Sequence, residues 1–153
     1  MTNAELQILV EKISLEAFNR PFLHHATFNA RLKTTGGRYI LKTHNLDFNP
    51  LMLTEFDLDN LIGVIKHELV HYHNHLQGLG YQHKDAAFKA ELMRVGGSRF
   101  APKTSQVKNK VKRYWVYTCE KGHALYRQRR IDTVRYVCGQ CRTKLTLTGR
   151  IER

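Results

Sequence analysis

The chain has 153 residues, with 25 Lys and Arg against 13 Asp and Glu, for a formal net charge of +12. Leu, Ile, Val and Phe make up more than a quarter of it, enough for the core of one ordinary domain with room for a small module, which excludes a fully disordered chain. No apolar run approaches the roughly 18 residues of a membrane span, the N-terminus MTNAELQILVEKISLEAF lacks the basic and apolar regions of a signal peptide, and three Cys are too few for a disulfide scaffold, so a cytoplasmic protein without membrane contact is expected.

Residues 4–19 space Leu6, Leu9, Val10, Ile13 and Phe18 as one helix face, with Pro21 as a stop. Residues 26–33 alternate apolar and polar, Thr34-Thr35-Gly36-Gly37 is turn chemistry, and 38–43 reads as a second strand, which predicts a hairpin over 26–43. The stretch 44–53 is ambiguous, and its Pro50 argues against a central strand. Thr54 followed by Asp57 fits a capping box at the start of a helix running to about Leu76, with Leu58, Leu61, Ile62, Ile65 and Leu69 as its apolar stripe and Gly78 and Gly80 beyond its end. A further helix is expected over 84–95, stopped by Gly96-Gly97. The first domain is therefore placed at 1–101 and a basic linker at 102–113. Short alternating runs at 114–118, 124–128, 134–138 and 144–148 predict a small β module over 114–153. The fold class is α+β.

His67-Glu68-Leu69-Val70-His71 lies inside the strongest helix. Residues four apart share a helix face, so the two imidazoles can converge on one zinc ion, and Glu68 beside them can reach a water on that metal and take its proton. A third ligand is needed. His75 shares the face but lies about 12 Å along the axis from His67. His73 points to the other side, and both read as solvated surface histidines. His83, just past the Gly78–Gly80 break, and Glu91, on the next helix, both remain open by spacing, with His83 the better placed. Asp57, Asp59 and Glu55 suit the first helical turn. Asp85 suits either a second contact to a ligand His or a helix start.

Cys119-x3-His123 and Cys138-x2-Cys141 supply four soft ligands on two separate turns, the pattern of a structural zinc ribbon. Gly122 and Gly139 lie inside the two ligand loops, and a metal would staple a module with little core. Residues 1–101 carry 11 basic and 10 acidic residues, and residues 102–153 carry 14 and 3. The second segment therefore holds almost all the net charge and is the expected contact for DNA or RNA. Its Arg127, Arg129, Arg130, Arg135, Arg142 and Lys144 are interleaved with Tyr114, Trp115, Tyr117, Tyr126 and Tyr136, and at least half of these aromatics are expected in the module's own core.

With KHELVH at 66–71, YQHKDAAF at 81–88, RYILKTHNLDFNP at 38–50 and a basic Cys-rich tail, the sequence resembles the SprT-like proteins, a family that includes the Spartan proteases. The resemblance spans nearly the whole chain. It implies a zincin-like metalloprotease domain with a zinc-ribbon-like module, His67, His71 and His83 as ligands of a catalytic zinc, Glu68 as acid and base, and a second, structural zinc at Cys119, His123, Cys138 and Cys141. Lys84 stands where many members have Gly, and His123 where the family usually has a fourth Cys. Spartan-type members cleave proteins crosslinked to DNA. The expectation is a zinc metalloprotease that hydrolyses nucleic-acid-associated proteins. The alternative is a nucleic-acid-binding zinc protein, acting in transcription, whose HExxH metal is not catalytic.

Overall fold

Thr2 and Glu5 form a capping box that starts α1 (Asn3–Phe18), with the Thr2 hydroxyl accepting from the Glu5 N–H and the Glu5 carboxylate accepting from the Thr2 N–H. Asn19 ends the helix in the left-handed region at φ 52°. In this computed structural model, which describes residues 1–108 and 110–153, the chain is mixed α+β with two small sheets. It divides into two compact units, Met1–Val107 and Lys108–Arg153.

The first unit continues through β1 (Ala26–Phe28), β2 (Gly37–Tyr39), β3 (Leu46–Phe48), a π-helical turn (Met52–Phe56), α2 (Leu58–Leu76) and α3 (Ala86–Val95). The hairpin expected over 26–43 does not form. β1 and β2 lie on opposite sides of β3, β1 parallel and β2 antiparallel to it, with Phe48 opposite both Phe28 and Gly37. The ambiguous stretch 44–53 thus supplies the central strand, which ends before Pro50 and so loses no ladder bond to it. Asp47, in mid-strand, accepts from Asn29, Thr27 and Arg38, and the Arg38 ion pair measures 2.7 Å. Burial would raise its carboxyl, but these bonds and the Arg38 charge hold it below the ordinary value.

α2 does not start at Thr54. Residues 52–56 form the π turn, and Asp57 is the N-cap, its side chain accepting from the Asn60 N–H at 2.7 Å. Leu58, assigned to the apolar stripe, stays exposed, while Leu61, Ile65 and Leu69 are fully buried against Leu6 and Val10 of α1 and Leu46 and Phe48 of β3. The predicted linker is shorter than expected. Thr104 is buried with its hydroxyl on the Lys33 carbonyl, and Ser105 bonds to Glu55, so residues up to Val107 belong to the first unit.

The second unit is an antiparallel sheet in the order β5 (Ala124–Arg127), β4 (Arg113–Cys119), β6 (Leu145–Glu152), with a bulge on the β6 pairing at Val116/Tyr117. Residues 134–138 are not a strand. A single bridge, Val137 to Lys144, remains, because the chain turns sharply at 138–142, where the Arg142 N–H reaches the Cys138 carbonyl. Of the five aromatics, only Tyr117 is buried, and Trp115 packs against it. Tyr126 and Tyr136 stand in solvent, so fewer than half serve the core.

Candidate metal centres

α2 is buried on most of its circumference, yet it turns one row toward a cleft of about 500 Å³. Three imidazoles meet there. The Nε2 atoms of His67 and His83 are 2.9 Å apart, those of His71 and His83 3.1 Å, and those of His67 and His71 3.2 Å. Ligand nitrogens around a tetrahedral zinc stand roughly 3.3 Å from one another, which this triangle approaches.

The tautomers follow from the neighbours. His67 Nδ1 lies 2.7 Å from the Ser98 carbonyl and His71 Nδ1 lies 2.5 Å from the Tyr81 carbonyl. A carbonyl only accepts, so both Nδ1 atoms carry protons. Burial holds His67 below its ordinary pKa and pushes His71 down to about 4, so both rings are neutral near pH 7 and their Nε2 atoms are bare lone pairs. Bare lone pairs this close repel one another, and a shared cation resolves the repulsion. Among His, Cys, Asp and Glu of the described residues, His67, His71 and His83 form one of two groups close enough to share an ion.

Packing fixes these groups from behind. Phe88 of α3 is buried beneath all three rings, with centroids 4.4 Å from His71 and 5.2 and 5.3 Å from His83 and His67. Gly96 ends α3 at φ 68°, and the next residues cross α2 closely. The Ser98 N–H donates to the Gly63 carbonyl at 3.0 Å, which aims the Ser98 carbonyl at His67. His83 is exposed on a loop braced by Asn74, whose side-chain amide donates to the Gly80 carbonyl, and by Asp85, which accepts from the Gln82 N–H. Asp85 therefore braces the loop rather than a ligand ring.

Glu68 lines the same cleft and is 6% exposed. Burial pushes its carboxyl up to about 8, opposed by the Tyr39 backbone N–H. A cation at the three imidazoles would favour the ionised form. Gly37 of β2 is what lets the sheet approach, since a Cβ there would stand 3.0 Å from Glu68 Cγ. Glu91, the other candidate third ligand, instead pairs with Arg94. His73 is not solvated: it is 4% exposed with Nε2 2.7 Å from the Ser14 hydroxyl, because α1 covers that side of α2. His75 is half-buried and bonded to Tyr39. The Ser98 and Tyr81 carbonyls, which set the ligand tautomers, had no signal in the sequence.

In the second unit, Cys119, His123, Cys138 and Cys141 form the other group. His123 offers Nδ1, which lies 3.4 Å from Cys119 Sγ and 3.7 Å from Cys138 Sγ, and Cys141 Sγ is 3.5 Å from Cys119 Sγ. Tetrahedral zinc with thiolate ligands sets such separations at about 3.6–3.8 Å. Hydrogen bonds from Thr143 pull the Cys141 thiol down to about 7, toward the thiolate a metal needs. The guanidinium groups of Arg130 and Arg150 lie over the Trp115 ring, and Arg153 lies over Tyr126. Among the described residues, no helix is long and apolar enough to cross a membrane.

Residues 6–113 match the model of the SprT-like family. The chain is 56% identical over 148 residues to a Protein SprT-like of Lactiplantibacillus plantarum, covering 96% of this chain and 99% of that one. It is 53% identical over 153 residues to a Protein SprT-like of Enterococcus faecalis, covering 99% of each. A third Protein SprT-like, from Geobacillus kaustophilus, is 46% identical over 149 residues, covering 97% of this chain and all of the relative. No solved structure matches.

Proposed function

Since the chain belongs to the SprT-like family, we propose that it is a zinc-dependent metalloprotease of the zincin type, acting on proteins associated with nucleic acid. His67, His71 and His83 would hold the catalytic ion. Bound there, zinc would polarise the scissile carbonyl and make water a better nucleophile at neutral pH. Glu68 takes the proton from the attacking water and returns it to the leaving amine. The observation that carries this reading is the convergence of three Nε2 atoms, those of His67 and His71 without protons, beside a buried carboxylate that no Lys, Arg or His pairs with among the described residues. A purely structural site has no use for Glu68.

The substrate would lie along β2. This strand is the sheet edge beside the cleft, and the bonds joining Gly36 to Asn49 and Ile40 to Asn45 turn those backbone groups inward, leaving the groups of Gly37 facing out.

The second unit would be a zinc-ribbon-like module stapled by an ion at Cys119, His123, Cys138 and Cys141. The basic segment 102–153, which includes this module, would hold DNA or RNA, with exposed Tyr126 and Tyr136 stacking on bases and the arginines meeting phosphates. The deciding experiment compares cleavage of a DNA-bound protein by the zinc-loaded wild type and Glu68→Gln. Wild-type cleavage that the variant loses is expected. Equal activity in both would overturn the reading and favour a nucleic-acid-binding protein with a non-catalytic metal.

A further inference from the structure

His75 sits one turn beyond His71 on α2, outside the ligand set, and touches two residues whose backbones reach the site. Its Nδ1 is 2.7 Å from the Tyr39 hydroxyl. Its ring packs on Tyr81 with centroids 4.6 Å apart. Tyr39 belongs to β2, whose Gly37 lies against Glu68, and both line the cleft, while Tyr81 supplies the carbonyl that accepts from His71 Nδ1.

We propose that His75 is a positioning residue of the site: by locking Tyr39 and Tyr81 together, it holds β2 in place beside Glu68 and, through the Tyr81 carbonyl, orients His71. The lock has a second arm. His44 Nδ1 is also 2.7 Å from the Tyr39 hydroxyl, and its ring stacks on Tyr39. A hydroxyl has one proton, so Tyr39 donates to one imidazole and accepts from the other, which leaves it one orientation. The edge of Tyr39 meets Tyr72 at 84°, closing the remaining side. Burial beside Tyr72 and Tyr81 pushes the hydroxyl up to about 12, so it keeps its proton.

Such a lock has a reason to exist here. β2 is three residues long and lies at the sheet edge, where backbone frays most readily. His44 sits in the left-handed region at φ 62°, a conformation that costs a non-glycine residue about 1 kcal/mol and persists where surrounding contacts over-determine it.

The catalytic part of this proposal rests on the metalloprotease reading, while its effect on metal binding does not. The test uses the full-length chain as wild type, His75→Ala, His75→Asn and Tyr39→Phe. Zinc affinity of the histidine site is read by chelator competition, and kcat and KM are read at saturating zinc. His75→Ala and Tyr39→Phe should each lower kcat about tenfold with KM nearly unchanged, and weaken zinc severalfold. His75→Asn, which keeps a polar atom near the Nδ1 position, should recover most of both. Wild-type kcat and zinc affinity in His75→Ala, whatever its melting temperature, would overturn the proposal, as would an Asn variant no better than Ala. If His75→Ala does not fold, Tyr39→Phe decides on the same terms. A wild-type chain that cleaves nothing sinks the metalloprotease reading alone, and the zinc affinities still judge the lock.

Discussion

Gly63 and Ser98 are in direct backbone contact across α2: the Ser98 N–H donates to the Gly63 carbonyl at 3.0 Å, and a Cβ at position 63 would collide with Ser98 Oγ. In an open helix, Gly→Ala gains about 1 kcal/mol. Here the clash outweighs that gain. Gly63→Ala should destabilise the fold by about 1–3 kcal/mol and weaken zinc at the histidine site, because the displaced Ser98 carbonyl orients His67. Adding Ser98→Ala removes the clashing oxygen, leaving a Cβ contact of 3.3 Å, and should restore most of both. Denaturant midpoints and chelator competition on the single and double variants check this.

Metal content separates the two centres. Wild type should bind two zinc ions per chain. Cys138→Ser should bind one and keep any proteolysis it starts with, and His67→Ala should bind one and lose it. Elemental analysis after gel filtration reads the count. One ion in wild type, unchanged by Cys138→Ser, would remove the Cys119–Cys141 site.

The loop that carries His83 depends on Asn74, which is 4% exposed and donates to the Gly80 carbonyl at 2.9 Å. Asn74→Ala should cost about 1–3 kcal/mol and loosen zinc about tenfold at the histidine site, with the cysteine site untouched. Equal loss at both sites would count against a local brace.

Asp47 gives the first unit a defined acid response. Its native pKa is lowered from 3.8, so its contribution to stability is fully present above that value and is lost as pH falls through the lower native one. Asp47→Asn should be destabilised by about 1–2 kcal/mol at pH 7, since the bonds from Asn29, Thr27 and Arg38 lose their charged acceptor, and should show a shallower loss of stability below about pH 4 than wild type. Urea titrations across pH 2–7 measure both.

What could be read in the sequence was what is local. The spacing of His67 and His71 defines a helix face in any helix, and the Cys119–His123 and Cys138–Cys141 pairs each lie within one turn. β3 was missed because it is inserted between two earlier strands that a hairpin reading pairs with each other, and a parallel pairing such as Ala26 with Leu46 leaves no turn to detect. The burial of His73 depends on α1, 59 positions away at Ser14. The carbonyls of Ser98 and Tyr81 belong to groups every residue carries, so no residue type could announce them. Gly97 read as a helix stop, yet a Cβ there would also stand 3.3 Å from the His67 backbone nitrogen.

Trp115 is the one tryptophan in the chain, and the guanidinium groups of Arg130 and Arg150 both lie over its ring in the second unit. Its emission is therefore an intrinsic optical label on that unit alone. Two cationic neighbours over the ring make its colour and yield sensitive to anything that draws either guanidinium away. A phosphate backbone would do so, and so would opening of the turns that hold Cys119, His123, Cys138 and Cys141 by a chelator. With no tryptophan in Met1–Val107, the melting of the second unit can be followed by itself without attaching a dye.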